Sequence, residues 1–307
     1  MLHRRHVVLG GLCACCLPPR RARAAGFTLR EVAPGIHVRR GLDEEASPGN
    51  ADAIANAGFI VGRDAVLVFD PGGSLADGAA LRAMVRARTK LPIRHVVLNH
   101  VHPDHIFGAG AFLEDAPAFI GHARLAPALA ARGEYYKQRL EEVLGPGAAG
   151  PVVMPTQEIA AAGEVDLGGR VLRLTAHGSA HTDNDLSLLD TATGTLIASD
   201  LVFVGRVPAL DGSVTGWLAE LAALKAIGAA RAVPGHGPEQ VAWPAGAADL
   251  ERYLGTLVQE TRQAVRDNIG IEAAVEQVAA GERGRWTLFE DYHGRNVTQA
   301  YKELEWE

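Results

Sequence analysis

Short apolar runs alternate with longer amphipathic runs along most of the chain. Short runs rich in Val, Ile, Leu and Phe are typical of buried strands, whereas apolar residues spaced three and four apart indicate helices. The strand-like runs lie at residues 58–61, 66–70, 95–98, 171–175, 195–199 and 230–233. Helical runs lie at residues 75–89 and 217–227. This alternation predicts an α/β fold in which helices cover sheets.

The pattern becomes helical after residue 240. Amphipathic helices are predicted at residues 247–266, 271–280 and 292–304. No Ser/Pro/Gly-rich linker, charge run or internal repeat divides the sequence of 307 residues, of which 48% are hydrophobic. A chain of this size and composition can bury one large core. We therefore predict a single domain over residues 25–307, with residues 240–307 as its mainly helical C-terminal part.

The stretch with the clearest chemistry is His100-Val101-His102-Pro103-Asp104-His105, which follows the strand-like run at 95–98. Proline disfavours helical geometry in the residue before it, so His102 should be extended. Alternate residues of an extended chain point the same way, so His100 and His102 can bind one metal ion together. Asp104 and His105 would face a neighbouring position. The spacing favours a dinuclear metal site over a tetrahedral structural site or a His-rich surface loop.

Three further candidate ligands follow other strand-like runs. His181 comes shortly after the run at 171–175, and Asp200 directly follows the run at 195–199. His236 lies in a Pro-Gly-His-Gly sequence after the run at 230–233. Strands fix position while the loops after them leave side chains exposed, so such residues can gather at one edge of a sheet protein.

The order of these motifs resembles that of the metallo-β-lactamase fold superfamily. The resemblance covers roughly residues 27–240 and includes the HxHxDH motif, the later His181, the Asp200 that ends a strand and the Gly-His-Gly around His236. It implies a four-layer αββα sandwich, with two facing mixed sheets, helices outside and metals at one edge. The C-terminal helices would extend this fold.

Finer features narrow the resemblance to one subfamily. Residues 181–187, 200–203, 208–213 and 216–218 resemble the corresponding parts of the quinoprotein relay zinc metallohydrolases, relatives of the sulfur-oxidation-associated hydrolases. That resemblance implies a partner, a periplasmic quinoprotein dehydrogenase system.

The superfamily resemblance also implies a complete set of ligands for two metal ions. It places His100, His102 and His181 on the first metal, Asp104, His105 and His236 on the second, and Asp200 between them. Imidazole and carboxylate ligands without thiolate suit Zn²⁺ and also admit iron or manganese. The implied reaction is hydrolysis by a metal-bridging hydroxide, with Asp104 as the catalytic residue that orients the nucleophile or accepts its proton.

Departures from the best-known relatives bear on the substrate. Asp200 stands where many metallo-β-lactamases carry Cys, and no Lys follows it at the position that grips a β-lactam carboxylate. We therefore expect a small ester, thioester or related molecule as substrate rather than a lactam.

Three alternatives stay open at this point. One is a glutathione thioester hydrolase, which shares the bridging Asp. Another is a mononuclear iron oxygenase that acts on persulfides and leaves the second set of ligands idle. The third is a metal-dependent binding or carrier protein for a quinone-like cofactor, although such a binder would not need an open metal pair.

Several residues outside the ligand set are candidates for orienting ligands or contacting substrate. Asp70 ends a strand in an Asp-Pro-Gly-Gly turn, and Asp183 and Asn184 directly follow His181. The loop from residue 203 to Trp217 is expected to contact substrate, and Tyr135 is a second candidate for that role.

The N-terminus has the features of an export signal. A charged start with Arg4-Arg5 precedes an apolar run of about a dozen residues, which is too short for the roughly 20 that span a membrane, and Ala22-Arg23-Ala24 supplies a cleavage site. The paired arginines favour the twin-arginine route, with the Sec route and a lipoprotein anchor as alternatives. We expect residues 1–24 to be removed and the mature protein to be periplasmic or secreted.

Cleavage would change both the thiol content and the charge. It would remove all three cysteines, Cys13, Cys15 and Cys16, so the mature protein would need no disulfide. Loss of five Arg would leave 25 basic residues against 36 acidic ones, a net charge near −11. This charge argues against nucleic acid and anionic membranes as partners, and no later segment is predicted to span a membrane.

Overall fold

The computed structural model describes residues 28–307. The predicted export signal at residues 1–24, with its three cysteines, lies outside the described residues. The described chain forms two mixed β-sheets, one of seven strands and one of six.

The first sheet takes its strands in chain order, β1-β2-β3-β4-β5-β6-β7. Neighbouring strands from β1 to β4 are antiparallel, whereas those from β4 to β7 are parallel. The bounds are β1 Leu29–Ala33, β2 Ile36–Arg39, β3 Ala57–Val61, β4 Val66–Phe69, β5 Ile93–Leu98, β6 Ala118–His122 and β7 Gln157–Ile159.

The second sheet has the order β13-β12-β11-β10-β9-β8. Only the pair of β11 and β12 is parallel among its described strands. The bounds are β8 Ala162–Asp166, β9 Val171–Ala176, β10 Leu186–Asp190, β11 Thr195–Phe203, β12 Arg231–His236 and β13 Val241–Ala242.

Seven α-helices accompany the sheets in the part of the chain that the structure describes. Their bounds are α1 Leu75–Arg88, α2 Pro103–Ile106, α3 Leu125–Leu144, α4 Val214–Lys225, α5 Ala248–Arg266, α6 Ile271–Gln277 and α7 Phe289–Leu304. The predicted helices at 75–89, 217–227 and 247–266 are therefore present, with ends shifted by three residues or fewer. None of the helices in the described part of the chain has the length and apolar character that a membrane span requires.

Three apolar clusters hold the layers together. The central cluster joins the inner faces of the two sheets, for example Phe69 and Val97 with Leu188 and Val233. A second cluster packs α1 and α3 on the outer face of the first sheet, and a third packs α4, α5 and α7 on the outer face of the second. Burial of apolar side chains on both faces explains why strands such as β3 and β4 are apolar throughout. The predicted four-layer αββα sandwich with C-terminal helices is confirmed.

The strand that carries Asp200 differs from the prediction. We expected this strand to end at Ser199, but β11 continues through Asp200 to Phe203. The pairing of β11 with β12 shifts register on both sides of Ser199, whose φ is 48°. An irregularity of this kind turns a side chain out of the ladder without ending the strand. Asp200 can therefore face the sheet edge from within a strand.

Candidate metal centre

Two of the candidate ligands, His100 and His102, lie in the segment that follows β5. His102 is extended, with φ −70° and ψ 145°, as the following proline requires. Pro103 is then the first residue of the short helix α2, where a missing N–H is tolerated. Asp104 and His105 lie in this helical turn, and their side chains contact His236 and one oxygen of Asp200, whereas those of His100 and His102 contact His181. The change from extended to helical backbone divides the motif into two groups of ligands.

Three imidazoles form the first group. Nε2 of His181 lies 3.3 Å from Nε2 of His100 and 2.9 Å from Nδ1 of His102. Oδ2 of Asp200 lies 3.3 Å from Nε2 of His181 and 3.7 Å from Nε2 of His100. All four donor atoms lie within 4.8 Å of one another.

The second group lies on the other side of Asp200. Oδ2 of Asp104 lies 3.2 Å from Nε2 of His236 and 3.5 Å from Nε2 of His105. Oδ1 of Asp200, the other oxygen of that carboxylate, lies 3.1 Å from Nε2 of His105 and 3.5 Å from Nε2 of His236. The two oxygens of Asp200 therefore face different groups of ligands.

Hydrogen bonds from Nδ1 of three histidines leave their Nε2 atoms free to act as metal ligands. Nδ1 of His181, His105 and His236 lies 2.6, 2.7 and 3.1 Å from an oxygen, to which each donates its N–H. The three acceptors are the backbone oxygen of Ala209, Oδ1 of Asp70 and the backbone oxygen of Ile54. A neutral imidazole that donates from Nδ1 has a bare lone pair on Nε2. In the neutral form that binds metal, each of the three rings would present this lone pair to the cluster.

The donor set fits divalent cations. Nε2 of His105 and Oδ1 of Asp200 are buried and have no hydrogen-bond partner among the described residues. Buried polar atoms without partners are rare, and a cation between these two atoms would satisfy both. Nitrogen and carboxylate oxygen are the ligands that zinc takes in catalytic sites.

Burial and charge push the pKa values of two first-group histidines and of two carboxylates towards the forms that bind metal. Burial lowers the pKa of His181 to about 3 and that of His100 well below its usual value, so both are neutral. Burial opposes ionisation of Asp104 and Asp200, but the neighbouring His105 and His236 outweigh it and hold both carboxyl pKa values well below the usual range. Metal ligation needs neutral imidazole and ionised carboxylate.

The histidines of the second group have raised pKa values, in contrast to His100 and His181 of the first group. Burial lowers the pKa of His105 and His236, but the carboxylates of Asp200 and Asp104 more than compensate and raise both above the usual value. A cation that binds between these residues must therefore displace protons from the rings.

Gly235 is a functional residue that our sequence reasoning did not single out. A β-carbon at this position would lie 1.8 Å from Oδ1 of Asp200. Only glycine leaves room for this carboxylate between β11 and β12. The signal in the sequence was the glycine directly before His236, which we interpreted only as part of a motif.

The structure also locates the residues expected around the ligands. Asp70 is buried, and its Oδ1 accepts hydrogen bonds from Nδ1 of His105 and from Oγ of Ser199, the latter at 3.0 Å. Trp217 is fully buried, with its ring centroid 5.3 Å from that of His181, so it supports a ligand and does not face substrate. Burial raises the pKa of Asp70, and the His105 contact opposes that shift.

Two other expectations for such residues do not match the geometry. Asn184 donates to Asp183 at 2.7 Å, so these residues contact each other and not His181. Tyr135 is 61% exposed and lies outside the cavity described next. Its neighbour Tyr136 lines that cavity instead, because adjacent positions of a helix face different directions.

A cavity of about 760 Å³ opens onto the two ligand groups. One wall is the loop after β11, from which Arg206, Ala209 and Asp211 line the space, as expected for a substrate-contacting loop. The opposite wall is helix α7, which the sequence did not indicate as part of the site. Its lining residues include Tyr292, Arg295, Asn296, Gln299 and Lys302.

Helix α7 also fixes the loop that it faces. Asn296 donates to the backbone oxygen of Pro208 at 2.6 Å and accepts from the N–H of Leu210 at 2.9 Å. Between them lies Ala209, whose oxygen orients His181. Oδ2 of Asp211 lies 3.4 Å from Nε2 of His102. The C-terminal helix therefore holds in place the loop that orients two histidines of the first group.

Comparison with known proteins agrees with this geometry. The family model of the Metallo-beta-lactamase superfamily matches residues 51–236. Among solved structures, a metallo-beta-lactamase from Pontibacter korlensis has a TM-score of 0.61 at 15% identity and covers 75% of this chain and 99% of its own. The metallo-beta-lactamase IND-7 has a TM-score of 0.60 at 18% identity, with coverages of 75% and 99%. Similarity at this level shows a shared fold. No curated protein matches the sequence significantly.

Proposed function

Because the chain belongs to the metallo-beta-lactamase superfamily, we propose that it is a dinuclear zinc hydrolase of small molecules. The observation that carries this proposal is the position of Asp200, whose two oxygens face separate groups of three ligands. A carboxylate in this position can bridge two cations, which a mononuclear site would not require. When bound, a metal pair supplies Lewis acidity and a water whose pKa is lowered toward ~7.

The proposed ligands are the seven residues implied by the sequence. His100, His102 and His181 would hold the first ion, Asp104, His105 and His236 the second, and Asp200 both. Iron or manganese would also suit these donors.

Among the chain's own groups, Asp104 is placed to handle the proton. Its side chain is 14% exposed and lines the cavity, whereas that of Asp200 is only 4% exposed. Its low pKa keeps it ionised and able to accept a hydrogen bond from a nucleophilic water. The buried ring of Phe203 packs beside His181 and His236 and lines the cavity, where it restricts the access of bulk water to these ligands.

The proposed substrate is a small ester, thioester or related molecule. A cavity of about 760 Å³ is in the range that holds a small ligand. Asp200 at the position where many metallo-β-lactamases carry Cys argues against lactams as main substrates, although structural neighbours carry that name.

We also propose that the protein is exported and serves a quinoprotein dehydrogenase system. The support is the signal-like N-terminal sequence and the subfamily resemblance of residues 181–187 and 208–213. Mass spectrometry of the protein recovered from the periplasm tests the first part, because we expect an N-terminus at Ala25. A chain that stays in the cytoplasm with residue 1 intact would contradict it.

The first experiment is metal analysis of the purified protein, paired with hydrolysis of thioester, aryl ester and lactam substrates before and after chelation. We expect two zinc ions per chain and turnover that chelation abolishes. His181→Ala should lose the first ion and most activity, whereas the matched control His95→Ala, a β5 histidine outside the cluster, should keep both ions.

The other outcomes decide between the alternatives. Bound metal without turnover of any substrate would favour the carrier protein. One iron ion per chain and oxygen consumption with a persulfide would favour the mononuclear oxygenase. Turnover confined to glutathione thioesters would favour the glutathione thioester hydrolase. No bound metal after growth with zinc would refute the dinuclear hydrolase.

A further inference from the structure

Arg206 is a buried cation beside the proposed metal ligands. It is 4% exposed and lines the cavity together with Asp104, Asp200 and His236. The backbone on both sides of it is fixed, since Val207 donates to the oxygen of Thr287 and Thr287 donates to the oxygen of Gly205. The guanidinium therefore has a defined position within the cavity wall.

The contacts of Arg206 are weak for a buried guanidinium. Its Nη2 donates to the hydroxyl of Tyr292 at 3.0 Å and lies 3.4 Å from Oε1 of Glu45. Its Nη1 lies 3.5 Å from the backbone oxygen of Glu44. Nη1 also lies 3.2 Å from Nδ1 of His236, but that nitrogen cannot accept while it donates to Ile54.

Two other arginines of low exposure, Arg170 and Arg39, are compensated differently. Arg170 makes two hydrogen bonds of 2.9 Å to the two oxygens of Asp190, and Arg39 is paired with the buried Asp77 at 3.0 Å. Arg206 has only Glu45, whose side chain is 53% exposed, as a carboxylate contact among the residues described. A buried charge needs a close partner of opposite sign, and the planar guanidinium is suited to a carboxylate.

The outer part of the cavity is also cationic. Arg295 and Lys302 lie two turns apart on α7, line the cavity and have no ion-pair partner in the described part of the chain. The acid of the outer cavity wall, Asp211, is paired with Arg132 at 2.5 Å. The whole chain carries a net charge of −6, so this positive wall is a local feature that would attract anions.

We propose that Arg206 and Tyr292 form a subsite for a carboxylate group of the substrate. The hydroxyl of Tyr292 donates to Oε1 of Glu45 at 2.6 Å and accepts from Arg206. Arg206 and Tyr292 therefore already bind one carboxylate together. Glu45 is the carboxylate within the chain that lies near Arg206, and its side chain is exposed. It can turn to solvent when a substrate carboxylate takes its place. This inference rests on the proposed hydrolase function, which supplies the ester or thioester that reacts. It adds that the substrate also carries a carboxylate and is an anion.

The test compares binding and turnover in three variants. Arg206→Gln removes the charge, Glu45→Gln removes the carboxylate partner within the chain, and Arg139→Gln removes an exposed arginine that does not line the cavity as a matched control. Glutarate binding to the zinc-loaded protein is measured by calorimetry. Turnover is measured with the mono-4-nitrophenyl ester of glutaric acid and with neutral 4-nitrophenyl valerate, which has the same acyl chain length.

We expect Arg206→Gln to weaken glutarate binding by about 10- to 100-fold, since a charge-assisted pair is lost. Glu45→Gln should tighten binding by about two- to fivefold, because a competing carboxylate is removed. The ratio of kcat/KM for the anionic ester to that for the neutral ester should fall in Arg206→Gln by a factor similar to that for binding. Arg139→Gln should behave as the wild type.

Several results would overturn the subsite. One is unchanged glutarate affinity in Arg206→Gln, and another is an equal loss of activity toward both esters, which indicates a purely structural arginine. Because Arg206 lies beside His236, zinc content is measured in parallel. If Arg206→Gln loses zinc, the Tyr292→Phe variant decides between the outcomes. We expect it to bind glutarate three- to tenfold more weakly, about the value of one hydrogen bond. An unchanged glutarate affinity would refute the subsite.

The same data separate this proposal from the hydrolase itself. Loss of glutarate binding in Arg206→Gln, without hydrolysis of either ester by any variant, would support the subsite and refute esterase activity. Hydrolysis of both esters with the wild-type anionic preference in Arg206→Gln would support the hydrolase and refute the subsite.

Discussion

Replacement of Gly235 by Ala tests whether the packing of two strands sets the position of the bridging carboxylate. A β-carbon at residue 235 would lie 1.8 Å from Oδ1 of Asp200 and 2.8 Å from its backbone nitrogen. Non-bonded heavy atoms are in favourable contact at about 3.5 Å, so the carboxylate or the strand must move by more than about 1 Å. Gly235 does not have a positive φ, so alanine meets no backbone strain there.

The expected effect on the site is larger than the effect on the fold. Overpacking by one methyl group costs about 1–3 kcal/mol of unfolding free energy, which a sandwich with three apolar clusters should tolerate. Movement of Oδ1 withdraws the oxygen that lies 3.1 Å from His105. We expect the second zinc to bind at least about 10- to 100-fold more weakly, the range seen even when an outer partner is removed. A displacement of about 1 Å can also lower turnover about 100-fold.

The assay is competition for zinc against a chromophoric chelator, with thermal unfolding followed by circular dichroism on the same samples. Gly255→Ala is the matched control, because a β-carbon at that position in α5 meets nothing within 4 Å. This control should keep both zinc affinities and gain up to about 1 kcal/mol in stability. If Gly235→Ala binds two zinc ions with wild-type affinity, the close contact does not position Asp200 and the reasoning fails.

Three further predictions follow from other contacts. Asp70→Asn should weaken the second zinc by about tenfold in the same chelator assay, because the charged partner of His105 is lost; unchanged affinity would show that the charge is unimportant. Burial raises the pKa of Asp185 to about 6, so the folded protein binds a proton that the unfolded chain releases near pH 4, and unfolding free energy should fall by about 2 kcal/mol as pH rises from 4 to 6. Urea titrations should show that Asp185→Asn lacks this part of the pH dependence. Glu303→Gln should lower the unfolding free energy by about 1–2 kcal/mol, and with it the melting temperature, because Glu303 accepts hydrogen bonds at the N-terminus of α4. A melting temperature equal to that of the wild type would contradict this prediction.

Local rules explain why much of the fold was predictable. The apolar runs at 66–70 and 95–98 became β4 and β5, because burial on both faces leaves little room for polar residues in such strands. The extended His102 followed from Pro103 alone. The end of β11 was misplaced because an irregularity at Ser199 depends on the neighbouring strand β12, which local sequence does not describe.

The site was predictable in its ligands but not in its surroundings. Seven candidate ligands could be named because His and Asp in this spacing have few other uses. Arg206, Tyr292 and Asn296 could not be named, since each is an ordinary residue type until α7 packs across the loop after β11. The choice between Tyr135 and Tyr136 likewise depended on which side of α3 faces the cavity.

The sequence by itself indicated α/β layering through its apolar runs and the candidate ligands through their spacing and donor type, and the order of its motifs resembles the family. These signals act over a few residues. Only the tertiary structure decided how these residues face one another. The division of Asp200 between two groups, the space left by Gly235 and the cationic wall with Arg206 arise from elements distant in the chain. Such contacts depend on packing between layers, which burial and sterics fix together and no local pattern encodes.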